Sequence, residues 1–266
     1  VADNQTTEAQ SESIDLCDAL SHYNRSIRHQ EELWNLLESN SINNLWTIQC
    51  RIDQSSRNYI YALLFNKHTL TLSKPIISDA ANNLISALDH VAAAIAKARG
   101  RPRARQLYFP LAINDDDFEK YLERPTEELG ADAVKIIDRL RKKHKLLLPS
   151  MQAIRKIANS GKHWELMPVS ASCFAVSVIG GDGKPVNINV PEDAFLNHEP
   201  YDFYSSNDPI NNNDVTIDLS MQIIGLPDEM SGTPRNMFSE ANQFVLDVID
   251  EMGIYYNWNN DNHAER

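Results

Sequence analysis

The sequence predicts an α+β protein: a helical core around residues 76–160, an N-terminal β-hairpin, antiparallel strands around 170–225 and a C-terminal helix. Three observations carry this. Apolar residues from Ile77 to Ile95 recur at spacings of 4, 3, 4, 3 and 4, the period of a buried helix seam. Near 46–65, and again after 168, apolar and polar residues alternate instead, as on a half-buried strand. A chain of 266 residues can bury such a core without disulfide staples, and no stretch reads as an interdomain linker. Residues 14–256 are therefore expected to form one domain, with 1–13 a disordered lead-in and 257–266 a frayed tail.

The elements follow in order. Ile14, Leu16, Leu20, Tyr23, Ile27, Leu33, Trp34 and Leu37 suggest a helix over 13–39, with a break near Ser21–Ser26. In "LWTIQCRI" Trp46, Ile48, Cys50 and Ile52 alternate with polar residues; "DQSSR" supplies a turn and "NYIYALLF" returns as the second strand. Pro75 is placed to open the central helix, whose seam is Ile77, Ala81, Leu84, Leu88, Val91 and Ile95, and Gly100 to end it. "NDDDFEKYLER" begins with carboxylates where a helix dipole favours them. "TEELGADAVKIIDRLRKKHK" reads as one helix with Leu129, Ala133, Ile136, Ile137 and Leu140 inward and a cationic end. A further helix runs from Pro149 to about Asn159, where Gly161 is expected to break it. "ASCFAVSVIG" and "KPVNINV" flank "GDG" as a hairpin, "NHEPYDFYSSNDPINNND" reads as an acidic loop, and "DVTIDLSMQIIG" as a strand with one core face. Thr233 and Pro234 open the last helix, which Gly253 should end.

Composition narrows the function classes. The first residues, "VADNQTTEAQSES", are polar and acidic rather than a cationic, apolar leader, and no apolar run approaches a bilayer span. The absent initiator Met leaves processing or trimming open. Cys17, Cys50 and Cys173 are scattered and show no CxxC, as expected of reduced thiols. A soluble cytoplasmic chain without membrane association is the expectation. The net charge of −12 is unevenly spread: residues 97–163 hold 16 Lys/Arg against 9 Asp/Glu, leaving 9 against 28 elsewhere. That basic segment either faces phosphate or pairs with the acidic remainder of the fold.

Two polar clusters interrupt the helical core. In "NNLISALDHVAAAI", Asn83 and His90 lie seven apart and share a flank of the central helix. Ala80, Ala87 and Ala94 separate them from the seam, so another backbone can approach and half-bury them. Asp89 lies on the opposite flank and is not expected to orient His90. In "NSGKH", Asn159, Lys162 and His163 stand at a helix end. A half-buried His can serve as acid or base, and Asn and Lys suit an anionic oxygen. His90, His163 and Lys162 are thus the catalytic candidates; Asn83, Asp89, Asn159, Arg101, Arg103 and Arg105 are the binding candidates. The competing reading is that each His fixes two helices together through local hydrogen bonds. His22 and His29 lack a carboxylate at metal-ligand spacing, and no cofactor or metal motif is present.

The segments "ISDAANNLISALDHVAAAI", "LYFPLA" and "IRKIANSGKHWEL" resemble, in order and spacing over roughly 45–170, an uncharacterised bacterial protein family with NLRSALDH and NxxDKHR motifs. The family's R-x4-H is similar to the motif of HEPN domains, helical modules of prokaryotic ribonuclease toxins and defence systems, where Arg and His meet phosphate, often across a dimer. The resemblance implies metal-independent RNA cleavage or RNA binding. This chain departs from the pattern: Ile85 stands at the Arg position, Asn82 at a family His, Gly161 at a family Asp and Trp164 at a second Arg. Since the cation recognises phosphate, the sequence favours a non-enzymatic binding module with its polar cluster between the helices over 76–98 and 150–163. Its partner would be a protein or a nucleic acid, with homodimerisation open. The HEPN-like ribonuclease or RNA-binding protein is the alternative.

Overall fold

The computed structural model describes residues 14–38, 45–101, 107–120, 122–163, 165–179, 183–191, 194–195, 199–211, 214–227, 230 and 232–257. Among these, helix α1 (Cys17–Glu38) leads into strands β1 (Trp46–Ile52) and β2 (Tyr59–Phe65) and the long helix α2 (Lys67–Ala98). Then come α3 (Asp115–Lys120), α4 (Glu123–Leu129), α5 (Ala131–Lys143) and α6 (Leu148–His163). Strands β3 (Val169–Ile179), β4 (Pro185–Asn189), β5 (Tyr201–Ser206) and β6 (Val215–Ile223) follow, and α7 (Pro234–Tyr255) closes the series. The class is α+β, with the N-terminal hairpin and C-terminal helix that the sequence predicts. The expected lead-in 1–13 and tail residues 258–266 lie outside the described residues.

The chain divides into two compact units. The helical unit comprises Val1–Arg28, Ala80–Asn159 and Met237–Arg266; the sheet unit comprises His29–Asp79 and Ser160–Asn236. In the helical unit the predicted seam is the core: Ala81, Leu84, Leu88, Val91 and Ile95 are all buried, joined by Leu129, Leu140, Ile154, Phe244 and Val248. α2 ends as its sequence requires. Gly100 takes φ +74°, its N–H bonds Lys97 O, and Arg101 N–H bonds Ala96 O, so two terminal carbonyls are satisfied.

The sheet unit holds two antiparallel three-stranded sheets, ordered β1-β2-β5 and β4-β3-β6. The first hairpin turns at Asp53, whose carboxylate accepts the hydroxyls of Ser55 and Ser56 at 2.7 and 2.6 Å. Those bonds and the backbone N–H groups of both serines hold its carboxyl well below the usual range. The expected alternation on β1 fades along the strand: Trp46 and Ile48 are half-buried, whereas Cys50 and Ile52 are exposed.

Six expectations are corrected, most of them by a tertiary partner or a local cap. α1 is unbroken across Ser21–Ser26, because Ser26 is buried and donates to Ala80 O at 2.8 Å rather than diverting its own helix. α2 starts eight residues before Pro75: Asn66 caps it by accepting the N–H groups of His68 and Thr69. The predicted helix across 126–145 is two helices, split at Gly130, where φ is +86° and ψ +154°. The acidic loop contains β5, which pairs with β2 and places Tyr204 beside Tyr61. Gly253 is an interior residue of α7, which runs to Tyr255.

The sixth correction concerns Gly161, which does not break α6. A Cβ there would stand 2.0 Å from Ser78 Oγ and 3.2 Å from Ser78 Cβ. The glycine is needed for close packing, not for a turn. Gly161→Ala is therefore expected to lower stability by about 1–2 kcal/mol, although alanine is the better helix former. Adding Ser78→Ala should restore part of the loss. Urea unfolding of both single variants and the double checks this, and simple additivity would show that the two sites are not coupled.

Candidate functional site

The site grows from the approach of α1 to α2 inside the helical unit. Ala80 and Ala87 of α2 are fully buried and lack bulk, so α1 comes close enough for Ser26 Oγ to reach a backbone carbonyl. Contacts pair Asp18 with His90, His22 with Asn83 and Ser26 with Ala80, so the two helices run antiparallel here.

Where the helices part toward solvent, two imidazoles stack. The His22 and His90 ring centroids are 4.7 Å apart, with planes 25° from parallel. Nδ1 of His22 lies 3.0 Å from Oδ1 of Asn83. An amide oxygen only accepts, so Nδ1 of His22 carries the hydrogen, and in the neutral ring Nε2 holds the lone pair. Nδ1 of His90 lies 3.9 Å from Oδ2 of Asp18, an exposed carboxylate at the start of α1. Asn83, His22 and His90 are each half-buried. The structure thus brings Asn83 and His90 together, as their shared flank predicts, around a residue the sequence reading passed over. By sequence spacing alone, His22 stands out only as half of the His22/His29 pair, which lacks a carboxylate for a metal. The usable signal was the run Asp18, His22, Arg25 and His29, spaced 4, 3 and 4, which marks one polar edge of α1.

Asp89 has a different task. Its Oδ1 accepts the N–H of Phe109 at 2.9 Å. Arg155 of α6 donates to the carbonyls of Phe109 and Leu111 at 2.9 and 3.0 Å. Burial lowers the Arg155 pKa, and Asp89 partly offsets this. Together the two side chains fasten the "LYFPLA" corner, an architectural role. The second predicted cluster is placed as follows. Asn159 is exposed in the helical unit and Lys162 is exposed in the sheet unit. His163 closes α6, and its side chain lies outside the described residues.

Within the basic segment, the stretch 139–144 is engaged by carboxylates. Arg139 pairs with Glu251, and Arg141 with Asp115 and Asp138. Lys142 also pairs with Asp138 at 2.7 Å, while Lys143 and His144 share Asp247 at 3.0 and 2.7 Å. Burial tends to raise the Asp247 carboxyl, but hydrogen bonds from Lys143 and His144 bring it below its usual value. Arg101 is exposed and lies 3.6 Å from Glu128; Arg103 and Arg105 fall outside the described residues. Of the two readings of this segment, the pairing one describes residues 139–144.

Among the described residues, no three His, Cys, Asp or Glu side chains are grouped to hold a metal ion, and no helix is long and apolar enough to cross a membrane. Ile85, at the position where the family resemblance expects Arg, is buried in the helical core. Comparisons of the chain with protein-family models, curated proteins and solved structures give no match.

Proposed function

We propose that this chain is a non-enzymatic binding module whose recognition surface is the α1–α2 edge bearing Asp18, His22, Asn83 and His90. The observation that carries the reading is the neutralisation of the basic helix. Every Lys and Arg from Arg139 to Lys143, a run a nuclease would turn toward phosphate, sits against a carboxylate of its own unit. A duplex or strand bound through its backbone needs several uncommitted cations along one face. The buried Ile85 supports the same conclusion, since no guanidinium can act from that position.

One observation favours the second reading, a HEPN-like metal-independent ribonuclease: two half-exposed imidazoles stand side by side, as paired acid–base chemistry requires. The two readings separate in one assay. The full chain and His90→Ala are incubated with a mixed-sequence single-stranded RNA in excess chelator. The binding-module reading expects the same background rate from both. Cleavage by the wild type that drops by about 100-fold or more in His90→Ala would establish the ribonuclease instead.

A further inference from the structure

We infer that the α1–α2 edge binds a phosphate-type oxyanion that retains a proton, with Nε2 of His22 accepting the P–OH hydrogen and Arg25 pairing with the charged oxygens. This rests on reading that edge as a recognition surface and names its ligand class.

The hydrogen-bond directions lead to the ligand. Asn83 presents an oxygen to Nδ1 of His22, which commits that nitrogen to donating. The opposite nitrogen of the neutral ring is an acceptor, and no described residue donates to it. His90 stacks against the ring at 4.7 Å and limits its rotation, so the acceptor is held rather than swinging. Arg25 lies three residues along α1 from His22, on the same polar edge, and is exposed. Its guanidinium makes no ion pair among the described residues, unlike the cations of α5. A lone-pair nitrogen one helical turn from a guanidinium without an ion pair among the described residues asks for a ligand that donates one hydrogen and carries negative charge.

Inorganic phosphate near pH 7 meets both demands, because its mono- and dianion each keep a hydroxyl. Sulfate carries the charge without the hydrogen. A phosphodiester also has no hydroxyl, which excludes the RNA backbone on the same ground. Asp18 opposes the anion. It lies 3.9 Å from His90 and is 86% exposed, so its charge is available to repel an incoming oxyanion. Of the other acids nearby in sequence, Asp89 and Asp15 accept the N–H groups of Phe109 and Cys17, and Asp79 stands exposed one turn before Asn83 on α2, a further carboxylate opposing an anion.

The test titrates the full chain at pH 7 and fixed ionic strength with inorganic phosphate, sulfate and a nucleoside 5′-monophosphate, following the imidazole 15N resonances. Phosphate should shift His22 saturably, with sulfate at least about ten-fold weaker. Arg25→Gln should weaken phosphate by about ten-fold, and Asp18→Asn should strengthen it by about three-fold. Both positions are exposed, so neither variant threatens the fold. The mononucleotide is mostly a dianion without P–OH at pH 7, so it should bind more weakly than free phosphate; tighter binding of the ester overturns the inference. Equal response to phosphate and sulfate, affinity unmoved by both substitutions, or no saturable shift overturns the inference. The binding-module reading fails separately, on His90-dependent RNA cleavage, whatever phosphate does.

Discussion

Arg141→Ala should lower the unfolding free energy by about 3 kcal/mol, more than any other single charged residue discussed above. The side chain is only 4% exposed, and its Nη2 serves Asp138 at 2.9 Å and Asp115. Its guanidinium carbon stands 4.5 Å over the Phe118 ring. Truncation therefore empties a packed volume and strips two carboxylates of their partner at once. Arg141→Met separates the two effects, because it keeps most of the volume and removes the charge. Its loss should be about half as large, partly because the buried Nε of Arg141 has no hydrogen-bond partner among the described residues.

The charge component has a definite pH sign. The hydrogen bond from Arg141 holds the Asp115 carboxyl below its usual value. At Asp138, burial acts upward, but hydrogen bonds from Lys142 and Arg141 win and lower it. A depressed carboxyl binds fewer protons folded than unfolded, so its contribution is complete above the ordinary carboxylate range. It is lost as pH falls through the lower folded value. The gap between wild type and Arg141→Met should accordingly be widest at pH 7 and narrow toward pH 3. Urea midpoints at the two pH values measure it. An Arg141→Ala variant within about 0.5 kcal/mol of wild type would show that the buried cation is not what ties α3 to α5.

Gly130→Ala is expected to cost about 2–3 kcal/mol. Its φ of +86° with ψ of +154° is a backbone region essentially reserved for glycine. An added Cβ would also fall 1.5 Å from Nη1 of Arg99, so the arginine would have to leave its position. Gly100→Ala is the internal comparison. It too has positive φ, at +74°, but open space surrounds the place where its Cβ would go. Its cost should be about 1 kcal/mol. Thermal denaturation of the two variants ranks them. If Gly130→Ala is no worse than Gly100→Ala, the Arg99 contact does not constrain the turn between α4 and α5.

How much of this was legible beforehand depended on whether a signal was local. The seam from Ile77 to Ile95 was plain, because a buried helix face repeats with the helix and needs no knowledge of its partner. The hairpin around "DQSSR" and the Thr233 cap were plain for the same reason. Glycine was the least legible residue. At Gly100 it ends a helix, at Gly161 it lets a helix pass close to Ser78, and at Gly253 it lies within one. Nothing near these residues in the chain distinguishes the three, since the deciding atom at Gly161 belongs to a residue eighty-three positions away. β5 was hidden because its neighbours, rich in Asn, Asp and Pro, look like loop; pairing with β2 makes the strand.

For the candidate site, the sequence by itself determined that Asn83 and His90 share a flank, that small residues beside them admit another helix, and that Asp89 faces elsewhere. Helical geometry fixes such relations within one element. Only the tertiary structure decided which helix arrives. That helix is α1, which supplies His22 and Asp18, and the basic stretch of α5 is turned toward carboxylates of α3, α5 and α7. The physical reason is that the partner of a side chain across a helix interface depends on the packing of whole apolar faces, and that packing is a property of the assembled core rather than of any window of sequence.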